Sequence, residues 1–139
     1  MASKQQLTGM RGVYLVAAEL SRLGFIASPT SRSAIGADIL ATDRSCQNTF
    51  SVQVKTNART FNYWLLTKKA KEQVSKNHIY VLVNLRQNKA GETIEYYIVP
   101  SKIISEKMLY SNCKNSDWYA ITLKSVEKYR NDWSVFGNP

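Results

Sequence analysis

Hydrophobic residues follow two rhythms along this chain. From Thr8 to about Leu23, the positions Met10, Val13, Tyr14, Ala17 and Leu20 recur at spacings of three and four. That spacing predicts an amphipathic helix with those five residues as its buried stripe. Thr8 suits the N-cap, and Gly24 follows the last turn, where a terminating glycine is expected. Beyond it the rhythm shortens to two. Residues 25–27 predict a short first strand, and residues 28–33, with Pro29 and a run of Ser and Thr, a loop whose only charge is Arg32. Residues 37–42 (ADILAT) and 50–56 (FSVQVKT) predict two strands joined by a polar turn, a β-hairpin.

The second half continues the pattern. Residues 63–66 predict a short strand, and 67–76 a helix carrying Lys68, Lys69, Lys71 and Lys76. The near-continuous apolar run 79–85 (IYVLVNL) is expected of a strand covered on both faces. After a turn at 87–92, residues 94–99 form another strand, and Pro100 opens a short helix over 101–109. A strand at 118–121 and a helix at 123–133 close the chain. This order predicts one α/β domain spanning residues 1–139, with a mixed central sheet flanked by helices.

Charge adds a partner class. Nineteen Lys and Arg against ten Asp and Glu give a net charge of +9. Such a domain attracts polyanions, and phosphate neutralisation is a common use of the charge. Simple solubility, an acidic protein or a membrane surface would draw on the same charge. Cys46 and Cys113 are isolated, so neither a zinc site nor a disulfide framework is indicated. No apolar run approaches the roughly 18–20 residues of a membrane span, and the polar first seven residues lack the pattern of a signal peptide. The expected setting is therefore cytoplasmic, with no membrane partner.

The candidate chemistry lies in residues 36–55. Asp38 begins one strand of the expected hairpin, and Gln53 and Lys55 lie on the next. Side chains at i and i+2 share a face, so Gln53 and Lys55 point together, away from Val52 and Val54. If the strands pair, Asp38 approaches both. A carboxylate with carbonyl-type oxygens makes a hard, open site for Mg²⁺ or Mn²⁺. A nearby lysine suits the orientation of water or the stabilisation of a phosphoryl transition state. The same spacing also fits the solvated face of an amphipathic edge strand, with Asp38 as a turn residue.

Three runs carry a family resemblance: residues 12–25 (GVYLVAAELSRLGF), 36–40 (GADIL) and 50–56 (FSVQVKT). In order and spacing they resemble the PD-(D/E)XK nuclease superfamily, which includes restriction enzymes and Holliday-junction resolvases. The likeness covers the first 56 residues and extends loosely through 64–66 and 79–83. It implies a restriction endonuclease-like fold. It also implies Asp38, Gln53 and the Val54 carbonyl as ligands of Mg²⁺ or Mn²⁺, with Asp38, Gln53 and Lys55 as the catalytic set. Gln53 stands where the family pattern has an acid. The glutamate often carried by the first helix aligns with Val13. Glu19, the only acid on that helix, lies about 9 Å further along the axis and far around it, as a surface acid would.

Around this set, Arg32, Lys68 and Lys69 are the expected nucleic-acid contacts, although a solvated helix face also explains the lysines. His78, the only histidine, has no acidic or nucleophilic neighbour in sequence and is expected to be structural. Trp118, Tyr119, Tyr129, Trp133 and Phe136 are expected in the core or at an interface rather than stacked on bases. The resemblance makes a homodimer a reasonable expectation. The chain is thus expected to be a metal-dependent endonuclease-like protein acting on nucleic acid, expected to be DNA. The alternatives are an inactive nuclease-fold binding module and a basic protein-interaction domain.

Overall fold

The computed structural model of the chain describes residues 1–31, 36–59 and 61–139. Arg32 lies outside them. Helix α1 (Lys4–Leu23) begins earlier than its apolar rhythm suggests, because Ser3 and Gln6 form a reciprocal capping box. It ends at Gly24, whose φ of 102° is the left-handed conformation that favours glycine. The buried row is Gly12, Val16 and Leu20, while Met10 and Tyr14 are exposed. The expected stripe is thus rotated, and a close approach at Gly12 explains it. A Cβ at this position would fall 1.8 Å from Thr56 Oγ1, so the helix meets the sheet along the row that contains the glycine.

The main sheet has five strands in the order β1 (Ile26–Pro29), β2 (Ile39–Thr42), β3 (Thr49–Asn57), β5 (His78–Asn88), β6 (Gly91–Pro100). The pairs β1–β2, β2–β3 and β5–β6 are antiparallel, and β3–β5 is parallel, so the sheet is mixed as expected. A parallel pair needs a crossover. Here it is supplied by β4 (Tyr63–Leu66) and the single helical turn α2 (Lys69–Glu72). The lysine-rich segment is therefore one turn rather than the longer helix expected, and Gln73 closes it.

β4 belongs to a second antiparallel sheet, in the order β4, β8 (Ser116–Thr122), β7 (Leu109–Cys113). No local pattern announces β7, because all five of its residues are exposed and it has no apolar alternation. The expected closing helix breaks into α4 (Leu123–Val126) and two 3-10 turns, Glu127–Tyr129 and Trp133–Phe136.

Two apolar cores lie on opposite faces of the main sheet. On one face α1 and the C-terminal turn pack Val16, Leu20, Phe25 and Phe136 against Val52, Val54 and Val81. On the other, the small sheet and α3 (Ser101–Lys107) pack Trp64, Ile121 and Ile104 against Tyr80, Leu82 and Val99. β5 is buried on both faces over its first eight residues, which accounts for its uninterrupted apolar run. Arg11 of α1 is ion-paired with Glu92 of β6, tying the helix to the far strand. The guanidinium holds the Glu92 carboxyl below its ordinary range. Among the described residues no helix is long and apolar enough to cross a membrane.

Candidate active site

The hairpin turn sets the register of the site. Asp43 is buried at the end of β2, and its carboxylate accepts hydrogen bonds from Asn48 Nδ2 (2.7 Å), Gln47 N (2.9 Å), Ser45 Oγ (3.0 Å) and Asn48 N (3.2 Å). Those donors, the Asn48 side chain foremost, hold its pKa below the ordinary value. The turn fixes Ile39 opposite Val52. Asp38, one residue earlier, lies where that ladder ends, with its side chain reaching Gln53. β2 stops there while β3 continues to Asn57, so β3 has lost its neighbour at Val54.

Asp38 fills the gap left by β2. Its Oδ2 accepts from the Val54 backbone N–H at 2.8 Å and from Gln53 Nε2 at 2.9 Å. The Asp38 backbone is fixed as well. Its N–H donates to the Val52 carbonyl at 2.8 Å, and its carbonyl accepts from the Thr30 N–H at 2.9 Å. Thr30 Oγ1 in turn donates to the Ala37 carbonyl at 2.7 Å. Within a strand a residue's N–H and C=O point to the same neighbour. The Val54 carbonyl therefore faces the side on which Asp38 sits.

Asp38, Gln53, Val54 and Lys55 together line one cleft of about 500 Å³, closed on its other side by Gly9, Met10, Val13 and Tyr14 of α1. Gln53 and Lys55 also line an adjoining cleft of about 430 Å³ with Lys68, Lys69 and Tyr80. The structure thus gathers the acid, the amide, the amine and two of the three expected cationic contacts in one region. Asp38 is the only acid among the described residues lining either cleft, and Lys55, Lys68 and Lys69 are in no ion pair there. Lys71 is used otherwise: its Nζ donates to the Ser105 carbonyl at 2.9 Å, tying α2 to α3.

Val13 faces the cleft, whereas Glu19 pairs with Arg22 at 2.8 Å and does not line it. His78 is buried, its Nδ1 2.7 Å from Ser51 Oγ, and burial lowers its pKa. It lines neither cleft, in keeping with a structural role. Thr30 and Tyr14 are parts of the site that sequence reasoning missed. The position of Thr30 depends on β1 pairing with β2, which no local pattern announces. Tyr14 looked like a core residue because it lies four residues from Met10 and three from Ala17, a helical spacing.

The oxygen donors suit a hard divalent ion: one carboxylate, one side-chain amide and one backbone carbonyl. The Gln53 amide turns its nitrogen to Asp38. Presenting its oxygen takes only rotation of the amide group. Among the described residues no three His, Cys, Asp or Glu side chains cluster as a metal site. An ion here would rest on a single formal charge and on neutral oxygens.

No family model matches the chain, and no curated protein matches it. Solved structures do. The Archaeoglobus fulgidus Holliday junction resolvase Hjc superimposes with a TM-score of 0.60 at 15% identity, covering 94% of this chain and 97% of the resolvase. The bacterial homing endonuclease I-Ssp6803I superimposes with a TM-score of 0.58 at 14% identity, covering 97% of this chain and 91% of the endonuclease. Strand order, mixed pairing and these superpositions agree over nearly the whole chain: it has the restriction endonuclease-like fold, the fold of the PD-(D/E)XK nucleases.

Proposed function

We propose that the protein is a metal-dependent nuclease that hydrolyses phosphodiester bonds in DNA. The observation that carries this reading is the convergence of Asp38, Gln53, Val54 and Lys55 where β3 outruns β2. Asp38, the Gln53 amide oxygen and the Val54 carbonyl would hold Mg²⁺ or Mn²⁺. When bound, such an ion supplies an acidified water and a counter-charge for the phosphate. Lys55 places an ammonium in the same cleft, where it stabilises negative charge growing on the phosphate oxygens. Lys68 and Lys69 in the adjoining cleft neutralise flanking phosphates. Of the solved structures compared above, one is named as a Holliday junction resolvase and one as a homing endonuclease. DNA is accordingly the substrate class to test first. The cytoplasm, where nucleic acid is at hand, is the proposed setting, and two copies would be needed to cut both strands of a duplex.

One observation favours a second reading, a nuclease fold that binds nucleic acid without cutting it. Asp38 Oδ2 is already occupied by two N–H donors, and the helix offers Val13 where a second acid would strengthen an ion site. Supercoiled plasmid, incubated with the protein in Mg²⁺, in Mn²⁺ and in chelator, separates the two. Metal-dependent nicking that falls by about 10²–10³ in Lys55→Ala, and is lost in Asp38→Ala, supports the enzyme. Salt-sensitive binding with no nicking in either ion supports the binding module.

A further inference from the structure

The outer face of the small sheet carries a row of exposed rings. Phe61, Tyr63 and Trp118 are 42%, 36% and 38% exposed. Their centroids are spaced 5.5 Å and 5.8 Å apart, Phe61 to Tyr63 and Tyr63 to Trp118. Alternation explains why Tyr63 faces outward, and Phe61 lies in the segment that leads into β4. Trp64 and Leu66 turn into the core, so Tyr63 turns away from it. Of the group expected in the core or at an interface, Phe136 is buried in the core, while Trp118 is outside it, open on the neighbouring strand.

The row ends at a third cleft, of about 870 Å³, where Phe61 meets Lys4, Thr8, Asn57 and Arg59. No acid lines this cleft among the described residues, and neither Lys4 nor Arg59 is in an ion pair. The cleft also continues the candidate active site. Both run between β3 and the first half of α1, one at Gln53 to Lys55 and the other at Thr56 to Arg59. A strand rises about 3.3 Å per residue. Asn57, the last residue of β3, therefore lies on the order of 10 Å from the Val54 backbone, and Arg59 follows two residues later, within a few nucleotides of a strand held at Asp38.

We infer that Phe61, Tyr63 and Trp118 form a stacking platform for unpaired bases, with Lys4 and Arg59 holding the phosphates of that single strand. Adjacent exposed rings beside unpaired cations suit single-stranded nucleic acid, because each base offers a π-face and each nucleotide a charge. A duplex keeps its bases stacked on each other and cannot use the rings. The charge of the cleft decides between this occupant and a second copy of the chain, which would bring its own +9 against Lys4 and Arg59. The inference rests on the nucleic-acid reading above and narrows it to substrates with an unpaired segment beside the cut.

The test is binding in chelator, so that cleavage plays no part. A labelled thymidine oligonucleotide and a duplex of equal length are titrated by fluorescence anisotropy against the wild type, Phe61→Ala, Trp118→Ala and Trp118→Phe. Single-strand affinity is expected to fall about tenfold in each alanine variant and to stay near wild type in Trp118→Phe, with duplex affinity unchanged. Trp118 fluorescence is expected to be quenched by the oligonucleotide. Equal losses on both ligands, or no loss on the single strand, overturn the platform and leave the nuclease reading intact. A wild type that binds neither ligand at low salt removes the nucleic-acid reading itself. A concentration-dependent dimer in sedimentation that Trp118→Ala dissociates, with single-strand affinity unchanged, assigns the face to a second copy instead.

Discussion

Asp38 Oδ2 lies 2.8 Å from the backbone nitrogen of Val54, at the point where β3 loses its antiparallel neighbour. The carboxylate thus takes the place of the missing strand for one N–H. An acid in this position serves two ends at once. It satisfies a backbone donor that would otherwise go unpaired, and it sets a negative charge beside a carbonyl facing the same gap. Such a gap can accept an ion or a phosphate without breaking the sheet, because the register is fixed on the far side by the Asp43 turn.

Placing an acid on α1 tests that geometry. Val13 lines the cleft opposite Asp38. Val13→Glu is expected to add a charged oxygen ligand, so Mn²⁺ should raise the melting temperature of the variant more than that of the wild type. Equal shifts in a thermal melt would argue against an ion site between α1 and the strand end.

Two glycines on α1 are expected to respond in opposite ways to the same substitution. At Gly9 an added Cβ meets nothing within 4 Å, and at Gly12 it meets Thr56 Oγ1 at 1.8 Å and Thr56 Cβ at 2.9 Å. Gly9→Ala should stabilise by about 0.5–1 kcal/mol through helix propensity. Gly12→Ala should destabilise by about 1–3 kcal/mol or more, since the helix must lift off the sheet. Urea denaturation of both variants checks the pair.

His78 gives the fold a pH dependence. Burial lowers its pKa in the folded chain below the ordinary value of 6.5. As pH falls through that value the unfolded chain takes up a proton that the folded chain refuses, so stability drops. The loss begins below about pH 6.5 and levels off once the folded imidazole also titrates. Asp43 titrates lower: its folded pKa is depressed, so its contribution is lost only as pH falls below the ordinary carboxylate value. Urea midpoints measured between neutral pH and pH 5 should decline in the wild type and flatten in His78→Gln.

Much of this was legible because one face of β2 and of β3 is buried. The alternation of residues 50–56 placed Gln53 and Lys55 on one face, and the turn before them put Asp38 within reach, as the hydrogen bond to Gln53 shows. The apolar run of β5 announced its burial on both faces. What stayed hidden depended on contacts distant in sequence. The buried row of α1 follows from the close approach of Gly12 to Thr56 rather than from the apolar spacing, which Met10 and Tyr14 satisfy equally well. β7 is held by its pairing with β8 and buries no side chain of its own. The lysine-rich segment has good helix formers but no side-chain cap, and tertiary contacts stop it after one turn.

The most direct test of the central claim is a titration of Mn²⁺ into the protein, followed by the electron paramagnetic resonance of the free ion. A site built on Asp38 and Gln53 predicts weak binding by the wild type, binding at least about tenfold tighter in Gln53→Glu, and none above background in Asp38→Ala. The same bound fraction in the wild type and Asp38→Ala would contradict it.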